Sequence, residues 1–204
     1  MKYKIILAAS LAAIFHITNA QSNLENPLTP NKLFIRYGLS GAFIDTKNSR
    51  ASFGGGSELS LGWYFTRQFA VYLTSKGYHM DKASFADSDP TTYFRWGVNG
   101  IGVKYSFVNR ERNQLYLDGA YLQSSIRPDI SEKVILSGNG FSAGAGLKHF
   151  VAPQWAISAE VHYVYSKFRK RVEDDNTVDF DLHGHGVNIS AGFGWHPFAN
   201  RDKE

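Results

Sequence analysis

Alternation of apolar and polar side chains is clearest near the end of the chain, between Gly186 and Phe198. From Val187 to Trp195 every second residue is apolar, and the intervening residues are glycine, serine or asparagine. Successive side chains of a β-strand point to opposite faces. The stretch therefore predicts a strand with one apolar face and one small, polar face. The apolar face carries Val187, Ile189, Ala191, Phe193 and Trp195.

Seven earlier stretches repeat this alternation, which gives eight predicted strands in all. The fourth stretch departs from the pattern, because Phe94, Trp96 and Val98 have the opposite parity to the apolar residues that follow. An extra residue shifts alternation by one position, so we expect a bulge near Asn99-Gly100. The predicted strands are 33–43, 53–65, 69–78, 93–108, 114–125, 140–150, 155–168 and 186–198.

Short and long connections alternate between these strands. The short ones are 66–68, 109–113 and 152–154, and aromatic residues flank each of them. The long ones are polar: Asp45–Ser52, His79–Thr92, Arg127–Asn139 and Arg169–Asp181. An even strand number with this alternation is typical of membrane barrels whose ends both lie in the periplasm. We therefore predict an all-β fold, an eight-stranded antiparallel transmembrane β-barrel with short periplasmic turns and longer extracellular loops.

In nearly every strand, charged residues of both signs recur on the face opposite the apolar one. An unpaired charge is too costly to place in hydrocarbon, so this face is predicted to point into the barrel. Eight strands enclose a space that side chains can fill, which predicts a closed, ion-paired lumen. Two alternatives remain, a narrow gated channel and a soluble barrel with its charges in water. The predicted lumen network is Arg36, Glu58, Lys76, Lys104, Asp118, Lys148, Glu160 and His162.

The N-terminal segment has the pattern of a secretory signal peptide. Lys2 and Lys4 precede an apolar run that is too short to span a membrane, and Ala20 offers a small residue for cleavage. The predicted organisation is a signal peptide at 1–20, a periplasmic leader at 21–32, a barrel at 33–198 and a periplasmic tail at 199–204. The net charge of +4 includes those two lysines, and we expect no nucleic-acid partner.

The signal peptide, the eight strands and the aromatic-rich last strand together resemble small Gram-negative outer-membrane barrels. The similar groups are the OmpA transmembrane domain, OmpX/Ail and opacity proteins, within the outer-membrane β-barrel or porin family. The resemblance implies an integral outer-membrane protein whose partners are lipid and the barrel assembly machinery. It also implies an assembly signal, for which Gly192, Trp195 and Phe198 are the matching residues.

The remaining chemistry of the sequence favours binding over catalysis. A basic run at the predicted outer rim, Lys167, Arg169, Lys170 and Arg171, is a candidate contact for lipopolysaccharide phosphates, although acidic Glu173–Asp175 could pair with it. We predict a non-enzymatic protein without a cofactor, with a structural or adhesion role through its extracellular loops and a possible extracellular ligand.

Two groups of residues suggest other chemistry. Glu160, His162 and Ser166 raise the alternative of a membrane-embedded lipid A-modifying hydrolase. His183 and His185 share one strand face, where two imidazoles could approach a metal ion. A place in the lumen network is the competing interpretation for the first group, and a solvated strand end for the second.

Overall fold

Eight antiparallel strands form a closed barrel. The computed structural model describes residues 32–46, 49–85, 92–110, 112–129, 134–173 and 176–198. Consecutive strands pair with each other, and the last strand pairs with the first. The predicted fold class is thereby confirmed. The strands are β1 Lys32–Thr46, β2 Ser49–Tyr64, β3 Phe69–Ala83, β4 Thr92–Asn109, β5 Asn113–Pro128, β6 Ile135–Ala152, β7 Trp155–Glu173 and β8 Asn176–Trp195.

The first and last segments of the predicted organisation lie outside the described residues. These are the signal peptide, the leader up to residue 31, and the tail at 199–204. Lys32, which the prediction placed in the leader, is the first residue of β1. No helix in the described part of the chain has the length and apolar content to cross a membrane.

Strand register gives the barrel its tilt. The residue pairs followed from Ile35 through Leu61, Leu73 and each later strand to His185 arrive back on β1 at Asp45. The return point is ten residues further along β1, which is the stagger that tilts the strands against the barrel axis. Rows of paired residues therefore climb toward the extracellular end as they pass from β1 to β8.

Three of the tryptophans and the charged residues of the predicted lumen network lie on opposite faces of the wall. Trp63, Trp155 and Trp195 are 38–39% exposed on the outer face. Glu58 and Lys104, by contrast, are 2% and 4% exposed on the inner face. This inside-out arrangement is the one that a barrel surrounded by lipid requires.

The predicted bulge in β4 is wrong. Pairing of β4 with both neighbours runs without a shift through Asn99 and Gly100, and the irregularity lies instead between Ser106 and Val108. Phe94, Trp96 and Val98 all point inward and are at most 2% exposed. The change of parity therefore marks the point where the inner face of β4 becomes apolar toward the extracellular end.

Strands continue beyond the predicted boundaries on the extracellular side. β7 runs to Glu173 and β8 begins at Asn176, so most of the predicted loop Arg169–Asp181 is a β-hairpin. Similarly, β1 and β2 extend to Thr46 and Ser49 across the predicted loop Asp45–Ser52. On the periplasmic side the turns are short, as predicted, and one of them is held by the Phe69 amide, which donates to Thr66 Oγ1 at 2.9 Å.

Glycines on the inner wall make room for large side chains on the paired strand. Gly146 lies directly opposite Tyr116, and a Cβ atom added to Gly146 would come within 2.4 Å of the tyrosine ring. Gly102 stands in the same relation to Tyr72, at 2.5 Å. Large rings can therefore lie flat across the adjacent strand, which fills a narrow interior.

The apolar part of the outer face differs in length around the wall. On β3 it spans three outward positions, from Phe69 to Leu73, whereas on β7 it spans six, from Trp155 to Tyr165. On the extracellular side of this apolar part, one continuous row of paired polar residues crosses the wall from β3 to β8. This row consists of Ser75, Asn99, Gln123, Asn139, Lys167 and His183.

Candidate functional site in the barrel interior and at its rim

Arg36 is the centre of an ion network in the middle of the barrel. Its guanidinium contacts Glu58 directly and lies 3.4 Å, Nε to Oε1, from Glu160. It also donates hydrogen bonds to the hydroxyls of Ser158 at 2.7 Å and Ser190 at 3.0 Å. Four strands thus meet at one buried side chain, which fixes their positions across the lumen.

Lys76 and Lys104 supply the other fixed cations of this network. Lys76 Nζ lies 3.2 Å from Glu58, so Glu58 is shared by two positive groups. Lys104 Nζ lies 3.4 Å from Glu160 and 4.0 Å from Asp118. Each of the three buried carboxylates therefore has at least one cationic partner, as burial of charge demands.

His162 and Lys148, the remaining residues of the predicted lumen network, differ in their partners. His162 Nε2 lies 2.8 Å from Asp118 and 4.0 Å from Glu160. Lys148 forms no ion pair within the described residues; its amine donates to the hydroxyl of Tyr64 at 3.0 Å and faces the ring of Phe34 at 5.1 Å. Rings and a phenol oxygen thus surround this lysine in place of a carboxylate.

An aromatic floor closes the periplasmic end of the interior. We use this name for Phe34, Tyr64, Phe150 and His196, whose rings lie within 6.3 Å of one another in successive pairs. All four are at most 4% exposed. The adjacent amine of Lys32 donates to the carbonyl of Phe198 at 2.6 Å, which links β1 to the residues that follow β8.

An apolar roof fills the extracellular part of the interior, and sequence reasoning missed it. Phe85 packs edge-on against Phe94 at 4.9 Å, and Tyr78 stacks on Trp96 at 5.1 Å. The signal was present, because the inner-face parity of β4 becomes apolar from Val98 upward. The apolar roof consists of Tyr78, Met80, Phe85, Phe94, Trp96, Val98, Leu122, Ile126, Leu136, Val164, Phe168 and Leu182, all buried.

Three buried groups could in principle ligate a metal ion. Asp118, Glu160 and His162 offer ligand atoms within 4.8 Å of one another. The amine of Lys104 already lies within 4.0 Å of both carboxylates, and Arg36 also contacts Glu160. A divalent cation would have to bind beside two fixed positive charges, so the electrostatics favour an ion-paired cluster over a metal centre.

The arrangement of a Ser-His-Glu hydrolase is not assembled from the residues that suggested it. Ser166 Oγ is hydrogen-bonded to Ser124 Oγ at 2.7 Å, and the nearest acidic partner of His162 is Asp118. All of these groups face the inside of the barrel and are at most 9% exposed. Acyl chains of membrane lipid would have no access to them.

His183 and His185 face outward at the upper end of β8. His183 Nδ1 lies 2.6 Å from the hydroxyl of Tyr165, and its Nε2 lies 3.4 Å from Asp181. His185 Nε2 lies 3.9 Å from Asp45. The two imidazoles therefore face different carboxylates, as at a solvated strand end.

The predicted basic run lies at the extracellular end of β7. Lys167 Nζ lies 3.2 Å from Asp181, and Arg171 Nε lies 3.2 Å from Glu173. Arg169 and Lys170 are exposed. Acidic neighbours thus balance part of the run, while Arg169 and Lys170 form no ion pair with any other described residue.

Two residues of the expected assembly signal, Trp195 and Phe198, lie at the outer, periplasmic edge of β8. Trp195 is 39% exposed and stacks with Trp155, the ring centroids 6.0 Å apart. Gly192 pairs with Gly38 of β1, and Phe198 is exposed just beyond the strand. Trp195 and Phe198 are therefore open to the membrane interface, whereas Gly192 faces the lumen, where an added Cβ atom would lie 2.8 Å from Arg36 Cζ.

A closed eight-stranded barrel with its aromatic face outward defines an integral outer-membrane protein. The chain belongs to the family described as "Outer membrane protein beta-barrel domain", which matches residues 7–196. The predicted family resemblance and the outer-membrane location are thereby confirmed. A comparison with curated proteins gave no match.

Solved structures of other barrels have the same fold. Neisserial surface protein A is 15% identical with a TM-score of 0.62, and the match covers 80% of this chain and 96% of that one. OprG from Pseudomonas aeruginosa is 10% identical with a TM-score of 0.61, covering 84% and 99%. The outer membrane protein AlkL is 10% identical with a TM-score of 0.56, covering 82% and 90%. At these identities the similarity establishes the fold alone.

Proposed function

We propose that the protein is a non-enzymatic outer-membrane barrel with a closed lumen, whose extracellular surface binds ligands while its interior serves stability. One observation carries this proposal: the interior is filled in three successive layers. Above the aromatic floor lies the ion network, and above that lies the apolar roof. Each layer is built from residues that are almost fully buried.

Conductance distinguishes a closed lumen from a narrow gated channel. The full chain reconstituted in planar bilayers is expected to give no current steps, with a general porin as the positive control. Glu160→Gln is the informative variant, because it removes a charge from the centre of the ion network. Steps in the wild-type protein that change in this variant would support the channel and contradict the proposal.

Lipid analysis distinguishes surface binding from lipid modification. We expect lipid A from cells with and without the protein to have the same acyl chains by mass spectrometry. Two observations support this expectation: Ser166 is paired with Ser124, and His162 lies inside the barrel. Loss of one acyl chain only when the protein is present would overturn the non-enzymatic assignment.

The proposed contacts of the outer surface follow from its charges. Arg169 and Lys170 are placed to pair with lipopolysaccharide phosphates, since guanidinium and ammonium groups bind phosphate oxygens. Binding of purified lipopolysaccharide to the refolded chain should weaken in R169Q/K170Q. Unchanged binding would remove this contact from the proposal.

We further propose export through a cleaved signal peptide and insertion by the barrel assembly machinery. Mature protein from outer membranes should begin at Gln21, which N-terminal sequencing would test. The exposed Trp195 and Phe198 support the second step, because an accessible aromatic edge is what an insertion partner could contact. W195A/F198A should accumulate unfolded in the periplasm, whereas the interior variant F34A should still reach the assembly machinery.

A further inference from the structure

Two arginines face each other across neighbouring strands at the extracellular rim. Arg95 of β4 and Arg127 of β5 are a registered pair, and both side chains are exposed on the outer face. Each lies six residues toward the extracellular end from a large apolar outward residue, Ile101 on β4 and Tyr121 on β5, and the outward positions in between are polar or glycine. The pair is therefore above the apolar part of the wall.

This pairing is electrostatically unfavourable unless an anion is present. Like charges directly opposite each other destabilise a sheet. Arg95 has one weak partner, Asp129 Oδ1, at 3.9 Å from its Nε, and the two side chains are 57% and 48% exposed. Arg127 forms no ion pair with any residue of the described ranges. Among the described residues, one carboxylate thus faces two guanidinium groups.

A cavity lies between these side chains. Its volume is about 530 Å³, and it is lined by Arg95, Arg127, Pro128 and Asp129. This volume is in the range of small-molecule sites. The backbone amide of Asp129 donates to the carbonyl of Tyr93 at 2.8 Å, which continues the β4–β5 pairing and positions the carboxylate at the cavity.

We propose that this cavity is a binding site for a phosphorylated sugar. The two guanidinium groups bind the phosphate oxygens, for which their planar donor geometry is suited. Asp129 accepts hydrogen bonds from sugar hydroxyls, which bare phosphate does not offer. The site gives the proposed surface-binding role a specific ligand class, and it rests on that role. It lies on a different strand pair from the Lys167–Arg171 run.

Phosphorylated sugars reach this rim from two sources, lipid A in the surrounding membrane and soluble sugar phosphates. The full chain in phosphatidylcholine nanodiscs is titrated with glucose 6-phosphate by calorimetry. A parallel set of nanodiscs contains a few mole per cent of lipid A, and lipid A retained by the protein is counted by native mass spectrometry. Binding of either probe, or of both, supports the site when it depends on Arg95 and Arg127, and the probe that binds identifies the source.

Three variants assign the binding to these residues. R95Q/R127Q should reduce binding at least tenfold, whereas R67Q/R110Q, which removes two exposed arginines on the periplasmic side, should leave glucose 6-phosphate binding within twofold. Asp129→Asn should abolish the preference for glucose 6-phosphate over inorganic phosphate. The shift in electrophoretic mobility of unheated samples confirms that each variant is folded.

The outcomes separate this site from the general surface-binding role. If lipid A binding is lost only in R169Q/K170Q, the surface-binding role stands and the arginine cavity is overturned. Binding of neither probe, or equal binding by wild type and R95Q/R127Q, also overturns the cavity site. Loss confined to R95Q/R127Q supports it.

Discussion

Inner-wall glycines decide which large side chains the narrow barrel can hold. Gly146 faces the ring of Tyr116, whose hydroxyl is in turn bonded to Glu160 of the ion network. The ring cannot swing away without breaking that bond. A side chain as small as a methyl group at Gly146 would therefore disturb both the packing and the network.

Gly146→Ala is expected to destabilise the folded barrel by about 1–3 kcal/mol, the usual range for overpacking a rigid interior. Urea titration of the refolded chain in lipid vesicles measures the change. Gly119→Ala is the matched control on the neighbouring strand, because its added methyl group would have 3.5 Å to the nearest atom. Equal destabilisation by both substitutions would show that the tyrosine contact is not the cause.

Glu160 is the residue on which the ion network depends most, since Arg36, Lys104, Tyr116 and His162 all contact it. Glu160→Gln leaves two buried cations with less compensation, and breaking such a pair costs about 3–5 kcal/mol. Glu173→Gln removes an exposed partner of Arg171 and should cost less than about 1 kcal/mol. The same urea titration compares them, and similar losses would contradict a structural role for the network.

Along each strand the apolar face points outward within the membrane, whereas above the membrane it points inward. Where hydrocarbon surrounds the wall, outward residues such as Ile101 and Tyr121 are apolar and inward ones are charged. Nearer the extracellular end, Arg95 and Arg127 point outward, and Trp96 and Ile126 point inward. The strands there follow the pattern of a barrel in water.

This reversal explains which parts of the fold the sequence could predict. Membrane-embedded alternation gave the strand number and the inner face correctly, because lipid excludes charge. The expected bulge after Phe94, Trp96 and Val98 is wrong, since alternation alone cannot distinguish a bulge from a change of surroundings. The predicted loop Arg169–Asp181 includes the first part of β8, from Asn176 to Asp181, because the outer face of the strand is polar there.

Inward charges could be predicted for a similar reason, but their partners could not. Because lipid excludes charge, a charged residue on the face opposite the apolar one must point into the lumen. Parity therefore identifies Arg36 and Glu160 as lumen residues. Which cation meets which carboxylate depends on the ten-residue stagger of the barrel. Lys148 illustrates the limit, since it reaches across the lumen to Tyr64 of β2 and Phe34 of β1 in place of an acid.

The two faces of the strands can be tested with the four tryptophans. Trp96 is 2% exposed inside the barrel, whereas Trp63, Trp155 and Trp195 face outward. In single-tryptophan variants, brominated lipid should quench the fluorescence of each outward residue several-fold more than that of Trp96. Strong quenching of Trp96 by the lipid would mean that β4 has the opposite register.

For the whole molecule, the uneven outer face has a consequence for the surrounding bilayer. Given the strand rise and tilt, the apolar span is about 10 Å high at β3 and about 25 Å at β7. A typical barrel presents an apolar band of about 25 Å. Lipid beside β3 must therefore compress, or the amides of Asn99 and Gln123 meet acyl chains.

We expect the protein to fold with higher yield in vesicles of twelve-carbon lipids than in those of sixteen-carbon lipids. S75L/N99L/Q123L should narrow that difference, whereas leucine at Ser57 alone should change it little. Electrophoretic mobility of unheated samples measures the folded fraction. Equal yields in both lipids would contradict the expectation. If the expectation holds, the barrel thins the outer membrane along one side only. Neighbouring molecules would then need the least energy to deform the bilayer further beside the β3–β5 wall.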